Sequence, residues 1–129
     1  MTMRATATFE ITGWTSETWD ESPSGTLARA LVTKTFAGDL DGTSAAVVLT
    51  ALTSAGPAAY TAQERFTGSF AGRTGSFIAQ HGATSLIEGS HWTIVTGSGG
   101  GELAGLTGSA VLEVGAHGTH EITLDYELD

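Results

Sequence analysis

Apolar and polar residues alternate along most of this chain, in short runs that end at Gly, Asp, Ser or Pro. The clearest run lies near the C-terminus, where Ile122, Leu124 and Tyr126 alternate with acidic residues and threonine. Because successive side chains of a strand point to opposite faces, this period predicts strands with one buried face. Eight such runs follow one another with short turns and no helical spacer. They predict a single all-β domain over residues 1–129, an eight-stranded antiparallel up-and-down barrel.

Three stretches depart from this pattern. Residues 14–25 are polar and acidic, which predicts a long loop; its tryptophans, Trp14 and Trp19, either dock on the domain as structural plugs or form a lid over the barrel mouth. Residues 43–53 are nearly all Ala, Val and Leu, which favours a strand buried on both sides or at an interface, with a short helix as the alternative. A later glycine-rich stretch predicts a loop with one short helical turn from Glu102 to Leu106.

A β-hairpin is predicted within residues 58–82, with Ala71 and Gly72 as its two-residue turn. That turn fixes which residues face each other across the two strands. The predicted pairs are Phe70 with Arg73, Gly68 with Gly75, Phe66 with Phe77, Glu64 with Ala79 and Ala62 with His81. One face of the hairpin is therefore apolar and aromatic, apart from one carboxylate and one imidazole.

Glu64 and His81 are the candidate catalytic residues. They share the apolar face of the hairpin as diagonal neighbours, roughly 7–8 Å apart between backbones and within reach of long side chains. Burial raises the pKa of a carboxyl group and lowers that of histidine, while a neighbouring charge acts in the opposite direction, so such a pair suits a general acid or base. Aromatic residues expected to face inward are the candidate ligand-binding residues: Tyr60, Phe66, Phe77, Trp92 and Tyr126.

Two other interpretations of this pair are open. In the first, the polar groups only orient a ligand in a binding pocket. In the second, the pair is structural: Glu64 is buried and satisfied by hydrogen bonds or by an arginine, and His81 caps its strand at the barrel rim. Arg29 and Lys34 stand at opposite parity in the second run, so one points outward and the other is interior or at a strand end.

Composition argues against several classes of function. The chain has no cysteine, and its four histidines lack the spacing of a metal-ligand set, so no metal is expected. Five Lys and Arg against 14 Asp and Glu give a net charge of −9, which argues against binding to nucleic acid or anionic membranes. No apolar run is long enough for a membrane helix and the N-terminus lacks a signal-peptide core, so a cytoplasmic protein is expected.

Four segments resemble a bacterial family, the domain of unknown function 3224. They are KTFAGDLDG from Lys34, ERFTGSFAGRTGSF from Glu64, HWTIVTGSGGGELAGLTGSA from His91 and TLDYEL from Thr123. The resemblance implies an architecture like that of allene oxide cyclase and dirigent proteins, a barrel with an apolar cavity that self-associates, as a homodimer. Relatives in that wider group guide reactive apolar intermediates through cyclisation or isomerisation without a cofactor. No catalytic residue is carried over from them.

Together, the residues and the resemblance predict a barrel whose cavity takes a small apolar molecule. The first expectation is a cyclase or isomerase that needs no cofactor and uses Glu64 and His81. The alternatives are a non-catalytic carrier with the same cavity, and a structural dimer with a filled barrel.

Overall fold

The computed structural model of the chain describes residues 2–56, 58–84, 90–115 and 118–128. These residues form β-strands joined by turns, and they contain no helix. The strands are β1 (Met3–Ser22), β2 (Gly25–Gly38), β3 (Leu40–Thr53), β4 (Ala58–Phe70), β5 (Arg73–Thr84), β6 (His91–Ile94), β7 (Gly100–Gly101), β8 (Thr107–Val114) and β9 (His120–Glu127). Within the described residues, no helix has the length and apolar character that a membrane span requires.

Eight of these strands form a closed ring of hydrogen-bonded neighbours. Each strand from β1 to β5 pairs with the next along the chain, β6 pairs with β8, β8 pairs with β9, and β9 returns to β1. The pairings are antiparallel. The two residues of β7 add to β5 outside this order. The prediction of an all-β antiparallel fold is therefore confirmed, and strands that follow each other in sequence lie side by side.

The hairpin of β4 and β5 has the predicted register, including Glu64 opposite Ala79 and Ala62 opposite His81. Its turn residues, Ala71 and Gly72, have φ of 50° and 86°. Two consecutive left-handed residues give the backbone twist that matches two paired strands, which explains why so short a turn joins them. The register prediction from the turn is confirmed.

The predicted loop at residues 14–25 is wrong. β1 continues to Ser22 and pairs with β2, with Trp14 opposite Val32 and Ser22 opposite Gly25. Only two residues, Pro23 and Ser24, form the turn. This part of β1 is exposed, so its side chains show no alternation of apolar and polar residues, and two irregularities in the pairing shift its period.

The predicted helical turn from Glu102 to Leu106 is also wrong. The backbone there forms hydrogen-bonded turns, which include those from Leu103 N to Gly100 O and from Leu106 N to Leu103 O. Gly105 has φ of 89°, a left-handed conformation that a right-handed helix does not accommodate. The leucines instead anchor the segment, because both side chains are fully buried.

β3 is the strand expected for residues 43–53 and not the alternative helix, but it is not buried on both sides. Its side chains alternate between the interior and the surface, and its place at an interface stays a prediction. Ala46 and Val48 are buried, whereas Val47 and Leu49 are about half exposed on the outer face of the ring. Exposed Leu31 on β2 lies directly opposite Val47, so the outer surface carries a short apolar row.

The interior of the ring contains two separate clusters of buried apolar residues. The larger is rich in aromatic rings and includes Phe36, Phe66, Phe70, Phe77, Trp92 and Tyr126. The smaller consists of small side chains: Ala30, Val32, Ala46, Val48 and Ala62. Along β2 and β4, the inward positions change from small through polar to aromatic, as in Val32, Lys34 and Phe36. Aromatic side chains therefore fill one end of the ring of strands, whereas small side chains line the other end.

Candidate functional site

Four buried polar side chains form a layer between the two core clusters. They are Lys34 on β2, Ser44 on β3, Glu64 on β4 and His81 on β5. Strand pairing brings them together, because Lys34 lies opposite Ser44 and because β3 and β5 flank β4. One residue from each of four neighbouring strands thus contributes to this polar layer.

Glu64 is the centre of the polar layer. Its Oε1 accepts hydrogen bonds from Lys34 Nζ at 3.0 Å and from His81 Nε2 at 2.7 Å, and its Oε2 accepts one from the hydroxyl of Ser44. Glu64 is 2% exposed, so water does not supply these bonds. Among the described residues, no fully buried side-chain nitrogen or oxygen lacks a hydrogen-bond partner. The carboxylate is therefore both buried and satisfied.

The surroundings of Glu64 decide its charge. Burial is the largest influence and by itself would raise the pKa of the carboxyl group. The hydrogen bond from His81, the charge of Lys34 and the hydroxyl of Ser44 together outweigh burial and lower the pKa of Glu64 to about 2. Glu64 is consequently an anion at neutral pH and acts as a hydrogen-bond acceptor.

The charge of Glu64 fixes the arrangement of hydrogens on His81. Because the carboxylate only accepts, Nε2 of His81 must carry the hydrogen that lies between them. Nδ1 of His81 lies 3.1 Å from the hydroxyl of Tyr60, and in neutral histidine this nitrogen accepts the Tyr60 hydrogen. Burial, and then the charge of Glu64, raise the pKa of Tyr60, so its phenol stays protonated at neutral pH. Tyr60, His81 and Glu64 thus form a continuous hydrogen-bonded chain.

An open cavity of about 460 Å³ lies at the end of the ring that holds the small residues. Its wall is mostly apolar. The residues that line it are Phe9, Ile11, Trp14, Val32, Lys34, Val48, Thr50, Leu52, Ala58, Ala59, Tyr60, His81, Ala83, Leu112 and His120. Lys34 and His81 place the polar layer at the inner end of this cavity, whereas Glu64 and Ser44 lie behind them and do not line it.

The structure brings together three of the residues predicted for the site. Glu64, His81 and Tyr60 are in hydrogen-bonded sequence, and the last two line the cavity. The other four candidates are buried in the aromatic cluster and do not line the cavity: Phe66, Phe77, Trp92 and Tyr126. They face inward as expected, but they lie on the other side of the polar layer or at its edge.

Sequence reasoning missed two partners of Glu64, Lys34 and Ser44. Lys34 shares its parity with Val32 and Phe36, which are buried, and that parity is the signal that marks it as interior. Arg29, at the opposite parity, is exposed and pairs with Glu17 at 3.2 Å. The cation that neutralises Glu64 is therefore a lysine and not the arginine considered above.

The cavity wall also contains two rings that were not among the predicted binding residues, Phe9 and His120. His120 stacks on Phe9, with 5.0 Å between ring centroids, and the ammonium of Lys34 lies 4.7 Å from the Phe9 ring centre. Trp14 lines the same cavity and is 55% exposed. Trp19 is also exposed and does not line it, so neither tryptophan is a buried plug.

The described residues contain no group of three or more His, Cys, Asp or Glu placed to hold a metal ion. The polar layer instead satisfies its own charges, with Lys34 and His81 as the partners of Glu64. What the arrangement offers chemically is a chain of proton donors and acceptors that ends at an apolar cavity.

Comparison with known proteins identifies the family of this chain. The model for "Protein of unknown function (DUF3224)" matches residues 5–126. The chain belongs to the DUF3224 family. A crystal structure of a DUF3224 protein of unknown function from Shewanella oneidensis MR-1 superposes with a TM-score of 0.89 at 30% sequence identity, over 100% of this chain and 99% of that one. A search among curated proteins gives no match. The family named by the sequence resemblance is thus confirmed.

Proposed function

We propose that this DUF3224 protein is a β-barrel that binds a small, mainly apolar molecule in its cavity, without a cofactor. The observation that carries this proposal is the contrast between the two ends of the ring. Aromatic side chains fill one end, whereas the other is lined by residues such as Val32 and Val48 around about 460 Å³ of space. Well-packed interiors leave few voids larger than a water molecule, so a cavity of this size and apolar character suits a ligand.

The free energy available to such a ligand is substantial. Removing roughly 200 Å² of apolar ligand surface from water contributes about 5 kcal/mol at the usual coefficient. Part of this is lost to the restricted motion of the bound molecule. Because millimolar affinity corresponds to about 4 kcal/mol and micromolar affinity to about 8 kcal/mol, the cavity wall alone supports binding of a compact apolar compound in the millimolar range, and tighter binding needs polar contacts as well.

Filling the cavity with a larger side chain tests this proposal. The neutral fluorescent probe N-phenyl-1-naphthylamine is titrated into the wild-type protein, Val48→Phe and Val47→Phe. Val48 lines the cavity, whereas its neighbour Val47 faces outward, so the two substitutions add the same atoms on opposite sides of one strand. We expect saturable binding to the wild type and Val47→Phe, and at least tenfold weaker binding to Val48→Phe. Equal affinity for all three proteins contradicts binding inside the ring.

The chain from Tyr60 to Glu64 favours a second candidate function, a proton-transferring cyclase or isomerase. In this step a C–H bond beside a ligand carbonyl breaks, and its electron pair moves onto the carbonyl oxygen. The proton goes to the oxygen of Tyr60, which passes its own hydrogen to Nδ1 of His81. The Glu64 carboxylate, 2.7 Å from Nε2, stabilises the positive charge that His81 gains. In a ligand that also has a carbon–carbon double bond next to the broken C–H bond, the electron pair moves back from the oxygen and the γ-carbon takes the proton from Tyr60. His81 returns its hydrogen to Tyr60, which completes the isomerisation.

Deuterium incorporation distinguishes this enzyme from a carrier. The protein is incubated in D₂O with a straight-chain methyl ketone, and mass spectrometry follows exchange beside the carbonyl. An enzyme accelerates exchange in the wild type and loses at least tenfold in Tyr60→Phe, while Tyr126→Phe, which changes a core tyrosine outside the cavity, retains it. If exchange with the wild-type protein is no faster than exchange in buffer alone, the protein is not this enzyme, and the result supports the carrier.

A homodimer, implied by the family resemblance, is also part of this proposal. The apolar row of Leu31, Val47 and Leu49 on the outer face of β2 and β3 is its candidate contact surface. Native mass spectrometry of the wild type and of Val47→Lys counts the subunits. A dimer that becomes a monomer in the variant supports this surface, and a dimer unaffected by the charge excludes it.

A further inference from the structure

We infer that the ligand of this cavity carries a carboxylate, which Lys34 and His81 hold at the polar layer while the apolar part lies against the cavity wall. The inference rests on the proposed function and specifies the class of molecule. It follows from the sign of the charges at the inner end of the cavity.

The composition of the cavity wall differs from that of the chain as a whole. The chain carries 14 Asp and Glu and a net charge of −9, yet no Asp or Glu lines the cavity in the part of the chain that the structure describes. The polar side chains that do line it include Lys34, His81 and His120, which are cations or can become cations. The charged and imidazole side chains on the cavity wall are therefore basic, whereas the chain as a whole is acidic.

The side chains of the polar layer that line the cavity are hydrogen-bond donors, and the anionic carboxylate is not among them. Glu64 and Ser44 lie behind Lys34 and His81, and only these last two line the cavity. A lysine ammonium has three N–H donors, and Glu64 Oε1 accepts one of them. The ring of Phe9 faces the same ammonium and accepts no conventional hydrogen bond, so donor capacity of Lys34 remains for a ligand oxygen.

Among simple polar groups, a carboxylate fits this arrangement best. It accepts charge-assisted hydrogen bonds, which are roughly twice as strong as neutral ones. A hydroxyl oxygen also accepts from the ammonium of Lys34, but it is uncharged and therefore lacks the attraction between opposite charges that a carboxylate adds. An ammonium group is repelled by Lys34 and finds no carboxylate on the wall, because Glu64 is already occupied by three donors.

Three ligands with the same chain and different head groups test the inference on the unmodified protein. Octanoate, octan-1-ol and octylammonium are compared at neutral pH by their displacement of N-phenyl-1-naphthylamine. We expect octanoate to displace the probe at a concentration about tenfold lower than octan-1-ol, which corresponds to one charged hydrogen bond, and octylammonium to be the weakest. Displacement by octan-1-ol equal to or better than that by octanoate overturns the inference but leaves the apolar cavity in place. Failure of the probe and of all three ligands to bind removes the proposed function itself.

A charge-removing variant then locates the head group. Lys34→Met is combined with Glu64→Gln, so that no buried charge is left without its partner, and folding is checked by thermal unfolding. We expect the preference for octanoate over octan-1-ol to fall to within about threefold. Arg29→Met, which removes a cation from the outer face of the same strand, is the control and keeps the tenfold preference. An undiminished preference in the folded double variant places the carboxylate elsewhere and overturns the assignment to Lys34.

Discussion

At the scale of single residues, Glu64 organises the interior. A buried carboxylate is costly unless it has a cation and hydrogen-bond donors close by. Lys34, Ser44 and His81 supply them from three other strands, and the pKa of about 2 expresses the balance. The hydrogen bonds and charges of the polar layer are thus mutually satisfied. Removing one member leaves the buried charge of another without compensation and destabilises the folded state.

Removing the cation alone tests this dependence. In Lys34→Met the carboxylate of Glu64 remains buried without a cation, and loss of one partner of a buried pair costs about 3 kcal/mol or more. The free energy of unfolding, measured with urea, should fall by that amount. Arg29→Met breaks the exposed pair with Glu17 and should cost less than about 1 kcal/mol. Equal losses in the two variants contradict a buried, energetically important pair.

Acid should destabilise the protein through Glu64. Its pKa is about 2 in the folded chain and 4.5 in a solvent-exposed carboxyl group, so the unfolded chain binds the proton more tightly. The resulting stability is complete above pH 4.5 and is lost as the pH falls towards 2, by about 3 kcal/mol in total.

Urea unfolding of the wild type at pH 6, 4 and 3 measures this loss. The double variant Lys34→Met with Glu64→Gln carries every other acidic residue and serves as the matched control. It should lose less stability over the same interval. The same loss in both proteins means that other carboxylates account for the acid sensitivity.

At the scale of elements, the sequence predicted the β4–β5 hairpin residue by residue but not the β1–β2 hairpin. Ala71 and Gly72 form a two-residue turn between strands with a clear period of two, and turn length then determines register. Beyond Trp14, β1 is exposed, so no apolar period marks it as a strand. This part of β1 pairs with β2 through backbone hydrogen bonds, which depend little on the identity of the side chains.

The contact between β5 and the glycine-rich segment offers a test at this scale. A Cβ added at Gly75 would lie 2.1 Å from the carbonyl oxygen of Gly100, so Gly75→Ala must displace backbone. We expect its free energy of unfolding to fall by about 2 kcal/mol. In Gly13→Ala the nearest atom is the side-chain oxygen of Thr33, which can rotate away, so the loss should be clearly smaller. A Gly75→Ala protein as stable as Gly13→Ala would contradict the close packing of these two segments.

At the scale of the whole molecule, alternation predicted the closed antiparallel sheet, because each strand needs one buried face. It could not predict which end of the ring is filled. That depends on residue volume at inward positions of different strands, such as Val48 on β3 and Phe66 on β4, and these are compared only once the register is known. The same holds for Lys34, whose role became clear when pairing placed β2, β3 and β4 side by side.

We propose that the open end of the ring holds a small apolar molecule above an intact polar layer. A crystal structure of the protein grown with N-phenyl-1-naphthylamine tests it most directly. We predict density for one probe molecule inside the ring, in contact with Ile11, Val48 and Tyr60, while His81 still donates to Glu64. An open end closed by side chains, with the probe absent or bound only on the outer face of β2 and β3, would contradict the claim.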